Sequence, residues 1–325
     1  MEIDFVLLWV DGKEPEWLNQ FAEYSQERGD KSVSRFRDWE NLKYWFRSVE
    51  KFTPWVNKIH FITCGHYPEW LNLKHPKLNF VKHSEYIPEE FLPTFNSRVI
   101  ELNLHRLESL SENFVLFNDD CFVLQPLPIE HFFYKDFPCD LAVSNAISGG
   151  GISRAILNNI EVINNHFDKK EVIRKYFKKW FNLTYGTKML RTFCLLGWPK
   201  FTGFYDSHLP QPFLKSVFKE VWDKEFDALY ETCTHKFKDS DDLTQYLMRY
   251  WQLVSGRFYP KNVAKNTLII GIENNNLNTI ETIIRYQLME ILVINDSESA
   301  NFELSKDKIV SSFDYILPNK SKYEL

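Results

Sequence analysis

The sequence predicts an α/β fold in which a mixed sheet is flanked by helices. Apolar runs rich in β-forming residues, at positions 3–10, 58–64 and 78–82, are combined with segments of helical spacing. The order strand, helix, strand, strand fits a nucleotide-binding sheet with right-handed crossovers. A chain of 325 residues also provides enough core for one large α/β domain or two smaller ones.

Composition narrows the classes of function. The net charge of −5 does not favour nucleic-acid binding. The 28 Phe and 10 Trp suit a large core, and some could stack on a sugar or base. The five cysteines are odd in number and lack the spacing of zinc or redox motifs, which predicts reduced thiols in a cytoplasmic protein. No signal peptide or membrane-spanning run is recognised, so any membrane association is expected to be peripheral, at the inner face of the cytoplasmic membrane.

The first predicted strand, at positions 3–10, includes Trp9 and is followed directly by Asp11 and Gly12. A turn of this kind presents backbone N–H groups and a carboxylate beside an aromatic plane, which could hold a nucleotide. An ordinary Asp-Gly turn would have the same sequence. A short helix is predicted next, over positions 15–24.

A second helix is predicted to open around Arg35, Arg37 and Asp38 and to run to about residue 52, with apolar residues at helical spacing. Asp38 fits the N-cap position of this helix. Arg47 belongs to a basic strip along the helix. The strip could be solvated, or it could contact the phosphates of a nucleotide.

A loop at positions 92–97 leads into a third helix, with Asn96 or Ser97 as its N-cap. Glu101 and His105 lie four residues apart on this helix and therefore share a face. Glu101 could orient the imidazole of His105 for proton transfer, or the two residues could form a structural contact.

The stretch 113–124 carries the clearest chemical signal. Its apolar run, residues 114–117, predicts a buried strand followed by Asn118, Asp119 and Asp120. Adjacent carboxylates there are costly without a positive charge, and α/β sheets bind ligands beyond the carboxyl ends of their strands. Hard oxygen ligands favour Mg²⁺ or Mn²⁺. The alternative is an Asp-rich turn between strands at 115–117 and 122–124.

The middle of the chain is predicted to be mostly helical. Three glycines at 149–151 suggest a domain edge or a mobile loop, and amphipathic helices are expected over 152–180. One helix face is basic and could meet anionic lipid or a polyanionic acceptor, or could simply be solvated. Its residues are Lys169, Lys170, Arg174, Lys175, Lys178 and Lys179.

His208 lies in a polar loop beside Pro210 and Pro212. Such a loop holds an imidazole in a defined place, which a general base requires, and histidine titrates near neutral pH. The alternative is a rigid loop that only starts a helix over 213–230.

The C-terminal part is predicted to begin with a helix capped by Asp239 or Ser240, which places Asp242 in the first turn. Arg249 lies on the same face as Asp242, and the acids at this helix end need no other function. Lys238, just before the helix, would give a phosphate contact. Strands at 268–272 and 291–295, a helix at 279–290 and a last amphipathic segment complete the chain.

Several of these motifs, taken in order, resemble the four conserved regions of the Stealth family. The first two regions resemble Trp9-Val10-Asp11-Gly12, Arg37-Asp38 and the segments 47–50, 92–97 and 117–120. The third resembles His208-Leu209-Pro210, and the fourth resembles residues 237–253. The resemblance extends from the first residues to about residue 260. Where an Arg is expected in the fourth region this chain has Lys238, which keeps the charge but loses bidentate geometry.

The Stealth family comprises sugar-1-phosphate transferases of bacterial capsule and cell-surface polysaccharide synthesis, together with the animal enzyme that tags lysosomal glycoproteins. The resemblance implies transfer of a hexose or N-acetylhexosamine 1-phosphate from a UDP-sugar to an acceptor hydroxyl, with release of UMP. It implies a GT-A-like sheet that binds a nucleotide sugar, with Asn118-Asp119-Asp120 in place of an Asp-x-Asp motif. We expect one domain of this type, with an α/β core (1–146), a mostly helical acceptor-side region (147–234) and a C-terminal part that returns to the core (235–325).

The residues and the resemblance together suggest roles. Asp119 and Asp120 would hold Mg²⁺ or Mn²⁺, and His208 would be the general base, with Asp242 orienting nearby groups and His105 as the second choice. Donor-binding residues would be Trp9, Asp11, Gly12, Asp38, Arg47, Asn96, Lys238 and Arg249. The acceptor would be a growing saccharide chain or a lipid-linked oligosaccharide. The alternatives are a glycosyltransferase that releases UDP and a non-catalytic carbohydrate-binding subunit.

Overall fold

The computed structural model describes residues 1–32, 38–296 and 301–325. In this part of the chain the strands are β1 Ile3–Leu8, β2 Ile59–Thr63, β3 Leu78–Lys82, β4 Asn113–Phe117, β5 Cys121–Val123, β6 Phe133–Tyr134, β7 Phe137–Asp140, β8 Gln211–Leu214, β9 Tyr259–Pro260, β10 Thr267–Gly271 and β11 Ile291–Asn295. The helices are α1 Pro15–Glu23, α2 Leu42–Phe52, α3 Ser97–Leu102, α4 Ser153–His166, α5 Lys169–Lys175, α6 Phe177–Trp180, α7 Met189–Leu195, α8 Lys215–Lys224, α9 Phe226–Thr234, α10 Tyr246–Val254, α11 Leu277–Arg285 and α12 Phe302–Ile316.

The largest sheet has the strand order β3-β2-β1-β4-β8, in which the first four strands are parallel. Helix α2 packs on one face, where the rings of Trp45 and Phe117 lie 5.4 Å apart. Helix α8 packs on the other face, where Phe218 lies 5.6 Å from Phe114. Because Phe114 and Phe117 are three residues apart on β4, they point to opposite faces of the sheet. The predicted α/β class, a mixed sheet flanked by helices, is confirmed.

The last strand of this sheet, β8, corrects the predicted start of a helix at residue 213. Gln211–Leu214 pairs antiparallel with β4, with Gln211 opposite Leu116 and Pro212 opposite Val115. Proline is acceptable here because β8 is an edge strand, where one side of the backbone needs no partner. The helical run follows as α8 and α9 rather than as one helix.

A second sheet, with the order β10-β11-β5, forms from the tail and from the segment after the acidic turn. β11 is parallel to β10 and antiparallel to β5. The chain therefore leaves the main sheet at residues 118–120 and enters the second sheet at Cys121. The predicted strand at 291–295 is confirmed, and the predicted strand at 268–272 is shifted by one residue.

Two predicted helix starts are wrong. Helix α2 begins at Leu42 after Asn41, while Asp38 accepts a hydrogen bond from the N–H of Glu40 in a preceding turn, 2.9 Å away. Arg35 and Arg37, which the prediction placed at this helix start, lie outside the described residues. Helix α10 begins at Tyr246 after Gln245, and residues 239–244 are not helical.

The segment between the two parts of the main sheet contains α4, α5, α6 and α7, as the predicted helical character requires. Its predicted basic face is wrong in part, because two of the lysines bind backbone carbonyls. The Nζ of Lys169 donates to Leu195 and Trp198, and the Nζ of Lys179 donates to Gly256 and Phe258. Across the described residues, no helix combines the length and the apolar character needed to cross a bilayer.

Candidate functional site

The carboxyl ends of the four parallel strands meet at one edge of the main sheet and line a cavity of about 440 Å³. Trp9 follows β1, Cys64 follows β2, His83 follows β3, and Asn118 and Asp120 follow β4. This edge is where open α/β sheets bind their ligands. The larger cavity, as we call it, is therefore in the expected place for a substrate.

A smaller cavity of about 350 Å³ lies on the other side of the acidic turn. Trp9, Asp119 and Asp120 line both cavities. The turn is fixed to the second sheet, because the carbonyl oxygen of Asp120 accepts a hydrogen bond from the N–H of Ile294 at 3.0 Å. The two alternatives for residues 118–120, a ligand site and an Asp-rich turn, are compatible, since the acidic residues form a turn between two strands and also line the cavities.

Among the described residues, the charge of Lys238 offsets only part of the effect that burial and Asp120 have on Asp119. Burial within the surrounding protein, followed by the charge of Asp120, raises the pKa of Asp119 to about 7. The exposed surface of Asp119 lines the two cavities, so a cation entering either cavity can reach it. No group of three or more His, Cys, Asp and Glu residues that could hold a metal occurs among the residues the structure describes. Two carboxylates nevertheless suit Mg²⁺, which commonly takes its remaining ligands from water and substrate phosphates.

His208 reaches this edge because β8 runs antiparallel to β4. The segment before Gln211 therefore passes beside the residues that follow Phe117. The Nε2 atom of His208 lies 3.2 Å from the Oδ2 of Asp120 and 3.2 Å from the Nδ2 of Asn118. The hydrogen bond with Asp120 raises the pKa of His208 above its usual 6.5. The imidazole is 42% exposed and faces the larger cavity, so it can meet a bound substrate.

The rest of the larger cavity combines charged and aromatic side chains. Lys238 lines it, and its charge lowers the pKa values of Asp119 and Glu101 against the larger opposing effect of burial. Trp17, Phe95 and Tyr246 add aromatic surface. Aromatic faces beside polar groups suit a saccharide.

The smaller cavity is more acidic. Asp38 and Asp296 line it together with Trp39 and the acidic pair. Burial raises the pKa of Asp38, and the nearby charge of Asp11 raises it further. Asp11 and Gly12 line neither cavity, and the N–H of Asp11 donates to the Nε2 of His66 at 2.8 Å. The Asp11 amide is therefore already hydrogen-bonded to protein.

Comparison with known proteins identifies the family. The model described as "Stealth protein CR2, conserved region 2" matches residues 35–139. The capsular polysaccharide phosphotransferase WcwK of Streptococcus pneumoniae is 42% identical, covering 99% of this chain and 98% of its own. The exopolysaccharide phosphotransferase cps2G of Lactiplantibacillus plantarum is 39% identical, with 99% and 96% covered, and the receptor polysaccharide phosphotransferase WefC of Streptococcus gordonii is 35% identical, with 100% and 99% covered.

The chain belongs to the Stealth family. The predictions of this family and of a phosphotransferase are thereby confirmed. Among solved structures, the galactosyltransferase LgtC in complex with donor and acceptor sugar analogues is similar over 98% of both chains, with 11% identity and a TM-score of 0.39. A similarity this weak supports no argument about donor or mechanism.

Several predicted site residues of this Stealth protein lie elsewhere. Arg47 donates from Nε and Nη2 to both carboxylate oxygens of Glu324, at 2.8 and 2.7 Å, and from Nη1 to the carbonyl of Leu317. These contacts join α2 to the C-terminal tail. The predicted phosphate contact of Arg47 is therefore wrong, since its guanidinium is fully engaged away from both cavities.

Arg249 is also engaged by protein groups. It is 1% exposed and binds both oxygens of Asp140, with Nε at 2.8 Å and Nη2 at 2.9 Å. Its Nη1 binds Asp206 at 2.5 Å, and the Nε2 of Gln211 lies 3.3 Å from Asp140. The prediction of a phosphate clamp is wrong, because Arg249 instead secures the His208 loop on both sides.

Asn96 and Asp242 form a third buried cluster. Asn96 caps α3 as predicted, accepting from the N–H of Arg98, and its Nδ2 donates to the Oδ2 of Asp242 at 3.0 Å. Asp242 also accepts from Arg98, Asp239 and His235. Both Asn96 and Asp242 are fully buried and line neither cavity, so neither can touch the donor or the reacting groups.

His105 does not pair with Glu101. Helix α3 ends at Leu102, so the predicted shared face does not exist, and His105 packs against Trp222 with ring centres 5.6 Å apart. Burial lowers the pKa of His105 to about 4. Glu101 instead faces the larger cavity, where burial raises its pKa.

Sequence reasoning missed Asp140, Asp206 and Asp296. Asp296 directly follows β11. The rule that ligands bind beyond the carboxyl ends of strands, which identified the acidic pair after β4, could therefore have identified Asp296 as well. Asp140 and Asp206 carried no separate signal, because only the folded chain shows that they share Arg249.

Proposed function

We propose that this protein transfers a hexose 1-phosphate or N-acetylhexosamine 1-phosphate from a UDP-sugar to a hydroxyl of a saccharide acceptor. The products are a phosphodiester and UMP, and the reaction serves capsule or cell-surface polysaccharide synthesis. The observation that carries the proposal is the acidic pair between two cavities, with the imidazole of His208 hydrogen-bonded to Asp120. The names of the relatives, which are polysaccharide phosphotransferases, support the reaction class.

The acidic pair suits a divalent metal. Asp119 and Asp120 would hold Mg²⁺ or Mn²⁺, which would neutralise negative charge on the departing UMP. The raised pKa of Asp119 is the supporting observation, because burial and the charge of Asp120 make its ionised form costly unless a cation binds. Phosphoryl transfer needs such charge neutralisation and alignment more than it needs covalent help from the protein.

The two cavities suggest separate places for the nucleoside and for the phosphate and sugar groups. Trp9 and Asp38 in the smaller cavity would contact uridine and ribose. Lys238 in the larger cavity would contact phosphate, and the nearby rings of Trp17 and Phe95 would contact sugar. The phosphorus that reacts would then lie beside the acidic pair, within reach of both cavities.

His208 would act as the general base. It would take the proton of the acceptor hydroxyl as that oxygen attacks the phosphorus attached to the sugar, and the bond between this phosphorus and the oxygen of UMP would break. Asp120 raises the pKa of His208, which stabilises the imidazolium that forms. The Arg249 contacts to Asp140 and Asp206 would keep the loop in register with Asp120.

Product analysis tests the proposal. The protein is incubated with UDP-sugars, Mg²⁺ and saccharide acceptors, nucleotides are separated by chromatography, and the saccharide product is examined by ³¹P NMR. We expect UMP and a phosphodiester resonance, both abolished by a chelator. Release of UDP with a phosphate-free product would establish a glycosyltransferase instead. Absence of metal-dependent UDP-sugar binding by calorimetry would favour a non-catalytic carbohydrate-binding protein.

A further inference from the structure

We propose that the surface formed by residues 177–198 docks on an anionic phospholipid bilayer. This surface, the α6–α7 surface, carries six exposed large apolar side chains within 22 residues. They are Phe177, Leu183, Leu190, Phe193, Leu196 and Trp198, with exposures of 57%, 86%, 60%, 48%, 40% and 55%. Contiguous exposed apolar surface of this kind marks a protein or membrane contact.

Ring contacts join the apolar side chains of α6 to those of α7. The ring of Phe181 lies 4.7 Å from that of Phe177 and 4.7 Å from that of Phe193, which joins α6 to α7. Leu190 and Phe193 are three residues apart on α7 and therefore share a face. The surface also contains an exposed thiol, Cys194.

The surface is fixed to the body of the protein and is not a frayed helix. Tyr185, between α6 and α7, is buried against Leu141 and Val143. The Oγ1 of Thr192 accepts a hydrogen bond from the N–H of Ser144 at 3.0 Å. The Nζ of Lys169 donates to the carbonyl of Trp198 at 2.8 Å. The apolar side chains are therefore held outward by a folded scaffold.

Charge selects the partner. Residues 169–200 contain nine basic residues and one acidic residue, a net charge of +8 in a chain of net charge −5. Six of the basic residues are exposed: Lys170, Arg174, Lys175, Lys178, Arg191 and Lys200. Exposed apolar side chains in the same stretch of chain as exposed cations suit an anionic bilayer, where rings can enter the interface and cations can meet headgroups. A symmetric contact between two copies would place like charges opposite each other.

The α6–α7 surface adjoins the segment that carries His208. The guanidinium of Arg191 lies 5.6 Å from the ring centre of Tyr205, and its Nη1 donates to the Oδ1 of Asn145 at 2.6 Å. Tyr205 is followed by Asp206 and then by His208. A bilayer at this surface would therefore lie close to the chain segment that reaches the larger cavity, which suits an acceptor carried on a lipid.

Vesicle co-sedimentation tests the docking without any activity measurement. The full chain is mixed with phosphatidylcholine vesicles that either contain or lack phosphatidylglycerol. The test variant carries Leu183→Gln and Leu190→Gln, and the matched control carries Leu288→Gln and Leu304→Gln, which are 52% and 57% exposed elsewhere. We expect wild type and control to bind only the anionic vesicles, and the test variant to bind them about tenfold more weakly.

Several results would overturn the proposal: no binding of wild type to the anionic vesicles at low salt, equal binding to both vesicle types, or unchanged binding of the test variant. A dimer by light scattering that becomes a monomer in the test variant would assign the surface to a second copy instead. A second measurement uses a protein in which the apolar residues of the α6–α7 surface are unchanged. With Cys64 replaced by Ser, an environment-sensitive dye on Cys194 should shift to the blue with anionic vesicles, and the absence of a shift would also overturn the proposal.

Discussion

The acidic turn and the Arg249 cluster contain the same kinds of residue but differ in how their charges are satisfied. In the cluster, Asp140 and Asp206 share a guanidinium that is 1% exposed, and every charge has an opposite charge within 3 Å. In the turn, burial and the like charge of Asp120 outweigh the charge of Lys238 and raise the pKa of Asp119 to about 7. Charges that are paired inside the protein hold the fold, whereas carboxylates beside a cavity whose charge is only partly offset are available for a ligand.

This comparison predicts that Asp120→Asn lowers activity without affecting stability, and that Arg249→Met lowers stability. Replacing Asp120 by Asn keeps the shape of the side chain but removes one negative charge from the proposed metal site. We expect transfer, measured as UMP release, to fall on the order of 10³-fold. The circular dichroism spectrum and melting temperature should stay close to those of wild type.

The matched control is Asp307→Asn, a substitution at an exposed position of α12 that should leave transfer unchanged. Near-normal turnover of the Asp120→Asn variant would remove the acidic turn from the mechanism.

Replacing His208 by Ala should lower transfer by roughly 10²- to 10⁴-fold, the usual contribution of a general base. The donor dissociation constant, measured by calorimetry, should change little, because His208 is assigned to the acceptor. In wild type, transfer should fall as the pH drops through the pKa of His208, which lies above 6.5. The control is His166→Ala, since His166 pairs with Glu225 away from both cavities. An unaltered rate for His208→Ala would assign the base role to another group.

Replacing Arg249 by Met should instead destabilise the fold by about 3–5 kcal/mol, because the buried Asp140 and the partly buried Asp206 lose their shared partner. Urea unfolding measures this loss. The same unfolding measurement on Arg47→Met provides the comparison for stability, since Arg47 is also buried and pairs with Glu324. If Arg249→Met were as stable as wild type but lost affinity for UDP-sugar, Arg249 would be a phosphate contact after all.

Much of the fold could be predicted because it depends on local pattern. The buried parallel strands read as apolar runs, and β3 and β11 were placed at their observed limits. β8 could not be recognised, because Pro212 within the strand and Pro210 just before it contradict strand propensity, and only the position of β8 at the sheet edge permits Pro212. The start of α10 was misplaced because the acids of residues 239–242 fit an N-cap pattern, whereas Asp242 instead binds His235 and Arg98 across the turn.

The site was predictable where it follows a strand and unpredictable where it depends on long-range pairing. The acidic turn and Trp9 follow β4 and β1, and His208 and Lys238 were suggested by a proline-containing loop and by a position just before a predicted helix. Arg47 and Arg249 looked like phosphate ligands, because the sequence does not show that Glu324 and Asp140 lie beside them. An arginine is available to a ligand only when its guanidinium is not already paired with a protein carboxylate. Only the tertiary structure shows whether such a pair forms.

The smallest expected effect concerns the stability of the metal-free protein. The pKa of Asp119 is about 7 in the folded chain, against an ordinary value of 3.8, so between these pH values the folded state holds a proton that the unfolded state has released. The free energy of unfolding should therefore be greater at pH 6 than at pH 8. The contribution of protonated Asp119 should be lost as the pH rises through 7. Because Asp119 is exposed to the cavities, solvent screening should limit the difference to about 1 kcal/mol.

Urea unfolding in a chelator at pH 6 and pH 8 measures this difference, and Asp119→Asn should abolish it while stabilising the metal-free protein at pH 8. Mg²⁺ should stabilise wild type more at pH 8 than at pH 6, because protonation of Asp119 competes with the cation. The Asp307→Asn control should keep both dependences. If Asp119→Asn kept the wild-type difference between pH 6 and pH 8, the acidic turn would be as well compensated as the Arg249 cluster, and the contrast between the two regions would fail.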